Sequence, residues 1–141
     1  MTMNQLAEHI IAVDNNNDVV ITNLKLQKVM YFLLKYIIQN NDLKDAEDIY
    51  DLPFSVWRYG PVVESIYERY KVFGSTPIVE SNEERKEYSQ YNDEIIRLSK
   101  MDVFELVRQS HEEDFWKQNE FKISGWRSSI FYTLNDVGAE G

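Results

Sequence analysis

From Asn4 to Val13 apolar residues recur at helical steps, with Leu6, Ile10 and Val13 on one face and Ile11 and Ala12 widening it. The stretch "DNNND", Asp14 to Asp18, is predicted to end that helix, because Asn and Asp side chains satisfy their own backbone and tolerate turn conformations. Val19 to Ile21 give a brief extended entry, and Thr22 is the N-cap expected for a longer helix reaching about Gln39. Leu26, Val29, Met30, Leu33 and Ile37 line one face of it, and Leu24, Tyr31, Phe32, Leu34, Tyr36 and Ile38 fill much of the remaining circumference. A helix apolar almost all round belongs at the centre of its domain.

Beyond an acidic connector with a short helix, "NNDLKDAEDIYD", the chain turns aromatic and β-branched in "PFSVWRY", Pro53 to Tyr59, which reads as a short strand. Gly60 and Pro61 are expected to open the next helix, since a proline in the first helical turn lacks only an N–H that would have no partner there. That helix carries Val63, Ile66, Tyr67 and Tyr70 on one face and stops near Gly74. "PIVE", Pro77 to Glu80, is a second short strand able to pair with residues near Val56. An exposed amphipathic helix with Tyr88, Tyr91, Ile95 and Leu98 on its inner side follows, then one capped by Asp102, and a last helix is expected from about Ser124 to Asp136. The predicted fold is mainly α: a single compact helical domain, residues 1–141, around a central hydrophobic helix, with a short β-hairpin formed by residues near 54–58 and 77–80.

Composition supports a folded domain: 43% of residues are hydrophobic and 13% aromatic, well above what a disordered chain carries. Fifteen Lys and Arg against 24 Asp and Glu leave a net charge of −9, a field that repels phosphate backbones, so no direct nucleic-acid binding is expected. The absence of Cys excludes disulfides and thiolate chemistry. "MTMNQLAEHIIAVD" lacks the basic start of a signal peptide, and "VMYFLLKYII" is interrupted by Lys35 and short for a bilayer, so a cytoplasmic protein without membrane association is expected.

Candidate chemistry is sparse. His111 with Glu112, Glu113 and Asp114 has the residue types of a metal site, but Phe115 stands where the zinc-protease spacing needs a second His, and a structural or capping role is the simpler explanation. There is no nucleophile elbow and no phosphate-cradling glycine loop. No catalytic residue, metal or cofactor is assigned, and elimination favours a binding protein over an enzyme.

Three blocks in order, "ITNLKLQKVMYFLLKY", "WRYGPVVESIYERYKVFG" and "SHEEDFW", resemble the Panacea domain, the SocA-like and phage-associated family, and together they extend over most of the chain. The residues that carry the resemblance are Leu24, Leu26, Gln27, Lys28 and Tyr31, then Trp57, Gly60, Pro61 and Tyr67, then His111, Glu113 and Trp116. Phe115 departs from the proline of the family's third block, and the C-terminal stretch is short for the terminal helix used by some relatives. The resemblance implies a mainly helical antitoxin of two-gene modules, without catalysis or cofactor, that neutralises its cognate toxin by direct contact or as an adaptor to a AAA+ protease. The alternative is a phage or mobile-element inhibitor of a host defence protein, such as a nucleic-acid-binding effector, acting through its acidic surface.

For Trp57, Gly60, Pro61 and Tyr67 the plain explanation is a structural corner, with the rings packed behind the central helix. Arg58 and Tyr59 are expected to point away from Trp57 if the segment is extended. With Val62 and Glu64 they are the candidate partner-binding residues.

Overall fold

In the computed structural model, which describes residues 1–139, the molecule is built mainly of α-helices around one buried helix. Helix α1 (Met3–Asn16) leads to α2 (Asn23–Gln39), α3 (Leu43–Ile49), strands β1 (Ser55–Trp57) and β2 (Gly60–Val62), and α4 (Glu64–Tyr70). Helices α5 (Asn92–Ser99), α6 (Val103–His111), α7 (Asp114–Asn119) and α8 (Leu134–Gly138) complete it. Thr22 caps α2 through its hydroxyl, which accepts the Lys25 N–H, and α2 touches α1, α3, β2, α4, α5, α6 and α8. Leu26, Val29, Met30, Tyr31, Leu33, Leu34 and Ile37 are fully buried, as its all-round apolar surface requires. None of the described helices is long and apolar enough to cross a membrane.

Several boundaries differ from those expected, each for a local reason. Helix α1 runs through Asp14 to Asn16 and stops only where Asp18 takes a left-handed φ of 55°. Asp14 therefore lies inside the fold, with neither carboxylate oxygen hydrogen-bonded among the described residues, and burial pushes its pKa up to about 6 against the opposing pulls of Ser99 and Lys25. Lys25 donates to the carbonyls of Ser99 (2.8 Å) and Met101 (2.5 Å), satisfying orphan acceptors at the C-terminus of α5.

The hairpin is not the one expected. β1 pairs with β2, Trp57 opposite Gly60 and Ser55 opposite Val62, joined by Arg58 and Tyr59, so Pro61 lies in a strand rather than a helical first turn. A two-residue connection needs left-handed backbone nearby, and Gly60 supplies it at φ 96°. Pro77 to Glu80 form no strand; Ile78 is tied by its N–H to the Ile21 carbonyl (2.7 Å) and buried beside the α1–α2 link.

The outer edge of β1 belongs to the C-terminal stretch, where a helix from Ser124 was expected. Val56 donates to Ile130 (2.9 Å), Tyr132 donates to Phe54 (2.8 Å), and Ser55 bridges Phe131. Residues 124–127 instead close a tight turn, with Ser124 N–H on the Arg127 carbonyl (2.9 Å) and Gly125 at φ 66°. The helix starts at Leu134, capped by a reciprocal Thr133–Asp136 capping box.

Candidate functional site

The β1–β2 corner leaves backbone groups facing the core without strand partners, and buried backbone polar groups must be paired. α2 pairs them with a polar stripe on its otherwise apolar surface. Asn23 donates to the Tyr67 carbonyl (3.0 Å), Gln27 accepts the Val63 N–H (3.0 Å) and steadies Asn23 (3.3 Å), and Lys28 donates to the Pro61 carbonyl (2.7 Å). These residues stand at i, i+4 and i+5, so they descend one side of the helix toward the corner.

Lys28 is fully buried and Pro61 is its one hydrogen-bond acceptor among the described residues. Burial of its ammonium pushes the pKa down to about 7. Gly60 is required here twice over: its φ excludes an L side chain, and a Cβ would lie 2.5 Å from Ser110 Oγ and 3.0 Å from Lys28 Cε.

The third block clamps the same corner from the other side. Trp116 donates its indole N–H to the Trp57 carbonyl (2.9 Å), and His111 donates Nε2–H to the Arg58 carbonyl (2.7 Å) with its ring stacked on Trp116 at 3.9 Å. Burial lowers the His111 pKa, opposed by the bond to Arg58, so the neutral ring is the form that fits. Glu113 turns away to the central helix, accepting from Tyr31 and pairing with Lys35 (3.1 Å). Burial raises the Glu113 carboxyl and Tyr31 and Lys35 oppose it; burial beside that carboxylate holds the Tyr31 phenol well above its usual range. His111 and Glu113 thus serve separate packing tasks, and among the described residues no group of three or more His, Cys, Asp or Glu is placed to hold a metal. Phe115 occupies the second position of α7, where an N–H has no intrahelical acceptor, so the turn tolerates either Pro or Phe; the ring packs on Tyr132 at 4.6 Å.

Clamped in this way, the corner presents its outer surface. Trp57 is nearly buried, edge-on to Tyr67 at 5.2 Å, whereas Tyr59 is 42% exposed and packs on Trp126 at 5.6 Å. Arg58 is exposed but engaged: its N–H and Nε–H hold the carbonyls of Trp126 (2.9 Å) and Gly125 (2.7 Å), fixing the 124–127 turn to the hairpin. Beside this turn runs an open groove of about 620 Å³. Leu24, Trp57, Val62 and Tyr67 lie along it, and Tyr59, Phe104 and Trp126 stand around it. Phe104 and Trp126 are 63% and 60% exposed, two large rings left in solvent on one groove. Val62 is almost wholly buried, and Glu64 is an exposed residue at the start of α4.

Of the four candidate partner-binding residues, Tyr59 and Val62 line the groove, Glu64 pairs with Arg127 of its lining, and Arg58 supports it from behind. Phe104, Trp126 and Arg127 were not legible as site residues. Phe104 had a signal: Val103, Leu106, Val107 and Ser110 already complete one face of α6, leaving Phe104 on the other. Trp126 and Arg127 had none, because their positions depend on the turn at Gly125.

No curated protein and no solved structure matches the chain. The family model described as antitoxin SocA-like, Panacea domain, matches residues 26–117, from Leu26 in α2 to Lys117 in α7, and so includes Gln27, Lys28, His111 and Trp116. Family membership gives a role related to toxin–antitoxin systems and a toxin as the kind of partner. With well over half its length matched, and with the polar residues of the matched blocks converging on one hairpin, the chain belongs to the SocA-like antitoxin, Panacea domain family.

Proposed function

We propose that this protein neutralises a partner toxin by direct contact, with the groove beside the β1–β2 corner as the contact face. The observation that carries this reading is the pairing of a rigid support with an exposed aromatic rim. Lys28, Gln27, His111 and Trp116 fix the backbone of residues 57–63, and Tyr59, Phe104 and Trp126 remain solvent-accessible around an open groove. Aromatic anchors on a preorganised backbone are the usual source of binding energy at protein interfaces. Tyr59 and Val62 supply groove surface, Glu64 an acidic rim, and Arg58 the fixation of the 124–127 turn.

Occlusion of the toxin's working surface is the simplest mechanism, and delivery of the bound toxin to a AAA+ protease would use the same face. The net charge of −9 favours a second reading, in which a phage or mobile element employs the acidic surface to block a basic host defence protein.

The test is co-expression with the product of the adjacent gene, followed by growth rescue and co-purification. Rescue with complex formation, lost in the Tyr59→Ala, Phe104→Ala double variant without a change in melting temperature, is the expected result. A harmless neighbour, or a toxic one that neither binds nor is rescued, would remove the antitoxin reading. A complex that survives the double variant would move the contact face elsewhere. Rescue that disappears when the host protease is deleted would assign delivery rather than occlusion.

A further inference from the structure

Arg127 is held in a setting suited to any arginine. Its guanidinium carbon lies 4.6 Å from the centroid of the Trp57 ring, one nitrogen lies 3.4 Å from Glu64 and another 3.1 Å from Glu68, and the two carboxylates stand one turn apart on α4. An aromatic face with two carboxylates beside it is what guanidinium recognition requires. Yet the hold is loose. Arg127 gives each carboxylate one long hydrogen bond rather than a bidentate pair, Glu68 also takes Lys71 at 3.5 Å, the Arg127 side chain is 47% exposed, and Glu64 and Glu68 are 54% and 42% exposed. Exposed pairs of this kind contribute little to stability. The Trp57 indole N–H, on the same ring, is buried without an acceptor among the described residues.

We infer that the Trp57–Glu64–Glu68 cradle is the seat for an arginine of the partner protein, with Arg127 as a displaceable placeholder. This rests on the groove being the contact face. The incoming arginine is flanked by apolar residues, because the cradle opens beside Tyr59, Phe104 and Trp126, and the net charge of −9 favours a basic partner over a neutral one. A partner that covers the groove removes water from the cradle, which strengthens both the ring contact and the ion pairs relative to the exposed contact that Arg127 makes. Arg127 then swings to solvent with little loss.

The test uses the full chain and the capped pentapeptide Ala-Leu-Arg-Phe-Ala as probe, with the same peptide carrying neutral citrulline in place of arginine as control. Binding is read from the Trp57 indole N–H resonance. Arg127→Ala and the length-preserving Arg127→Gln should both bind the arginine peptide about three- to sixfold more tightly than the unmodified protein does, because a weak internal competitor is gone. The citrulline peptide should gain nothing, and adding Glu64→Gln with Glu68→Gln should abolish the gain.

Equal affinity with and without Arg127, or indifference to citrulline, would overturn the proposal. Self-association of Arg127→Ala in sedimentation, without peptide binding, would also overturn it by making a second copy the occupant. Failure of the peptide test alongside intact toxin co-purification would sink the cradle alone, whereas loss of co-purification would sink the antitoxin reading itself.

Discussion

Lys28 offers the sharpest measurement. Among the described residues its fully buried ammonium has one backbone carbonyl as partner and no ion pair with a carboxylate, and its pKa falls from 10.5 to about 7. The unfolded chain therefore holds this proton over a pH range in which the folded chain has released it. Stability must rise as pH increases from 7 toward 10.5, since the destabilisation is complete below the folded pKa and lifted above the unfolded one. The full span corresponds to about 5 kcal/mol, of which about 2 kcal/mol falls between pH 7 and 9.

Lys28→Met keeps the length of the side chain, removes the charge, and leaves the Pro61 carbonyl unpartnered at a cost of about 1–3 kcal/mol. At pH 7 the variant should be more stable by about 2 kcal/mol, and the two proteins should converge near pH 9 as the lysine neutralises. Urea denaturation at half-unit pH steps measures both curves. Comparing the variant with its parent cancels Lys25, whose pKa burial also lowers. The same comparison cancels the two histidines, whose pKa values burial also lowers. A flat parent curve from pH 7 to 9, or a variant less stable at pH 7, would show that the amine is hydrated or paired in a way the buried contact with Pro61 does not describe.

Gly60→Ala combines a forbidden φ with a Cβ 2.5 Å from Ser110 Oγ and should cost about 3 kcal/mol in urea denaturation; a loss below about 1 kcal/mol would mean that the corner relaxes freely. Asp14 has a folded pKa of about 6 against 3.8 unfolded, so it costs stability as pH rises from 3.8 through 6, by up to about 3 kcal/mol. Asp14→Asn should remove that fall, leaving the variant the more stable at pH 7, and parallel pH profiles for the two proteins would contradict an unpaired carboxylate.

The central helix was legible because eleven apolar positions between Leu24 and Ile38 leave no solvent face large enough for anything but a core. The corner was legible in composition but not in pairing. "SVWRYGPV" contains both strands of the hairpin, and a Pro after a Gly looks like a helix start until the Lys28 and Gln27 contacts show its backbone held extended. The same tertiary pull made a strap of the residues before Thr133, where Ile130 and Tyr132 pair with β1 instead of continuing a helix. Motif residues were recognisable as a group, but their common task was not, because side chains far apart in sequence reach carbonyls and N–H groups that carry no sequence signature. The groove was least legible: Tyr59 was expected to face outward and does, but the neighbours that make it a site arrive from α6 and the turn at Gly125.

Among the described residues both edges of the two-stranded sheet are occupied. The strap bonds along β1, and Lys28 and Gln27 take up the far side of the second strand and its continuation. Strand addition, a recurring way in which sheet edges capture another chain or aggregate, is thereby closed at this sheet. Whatever docks on the corner must read side chains rather than extend a ladder, so partner choice can be altered by exchanging exposed residues while the backbone beneath them stays as it is.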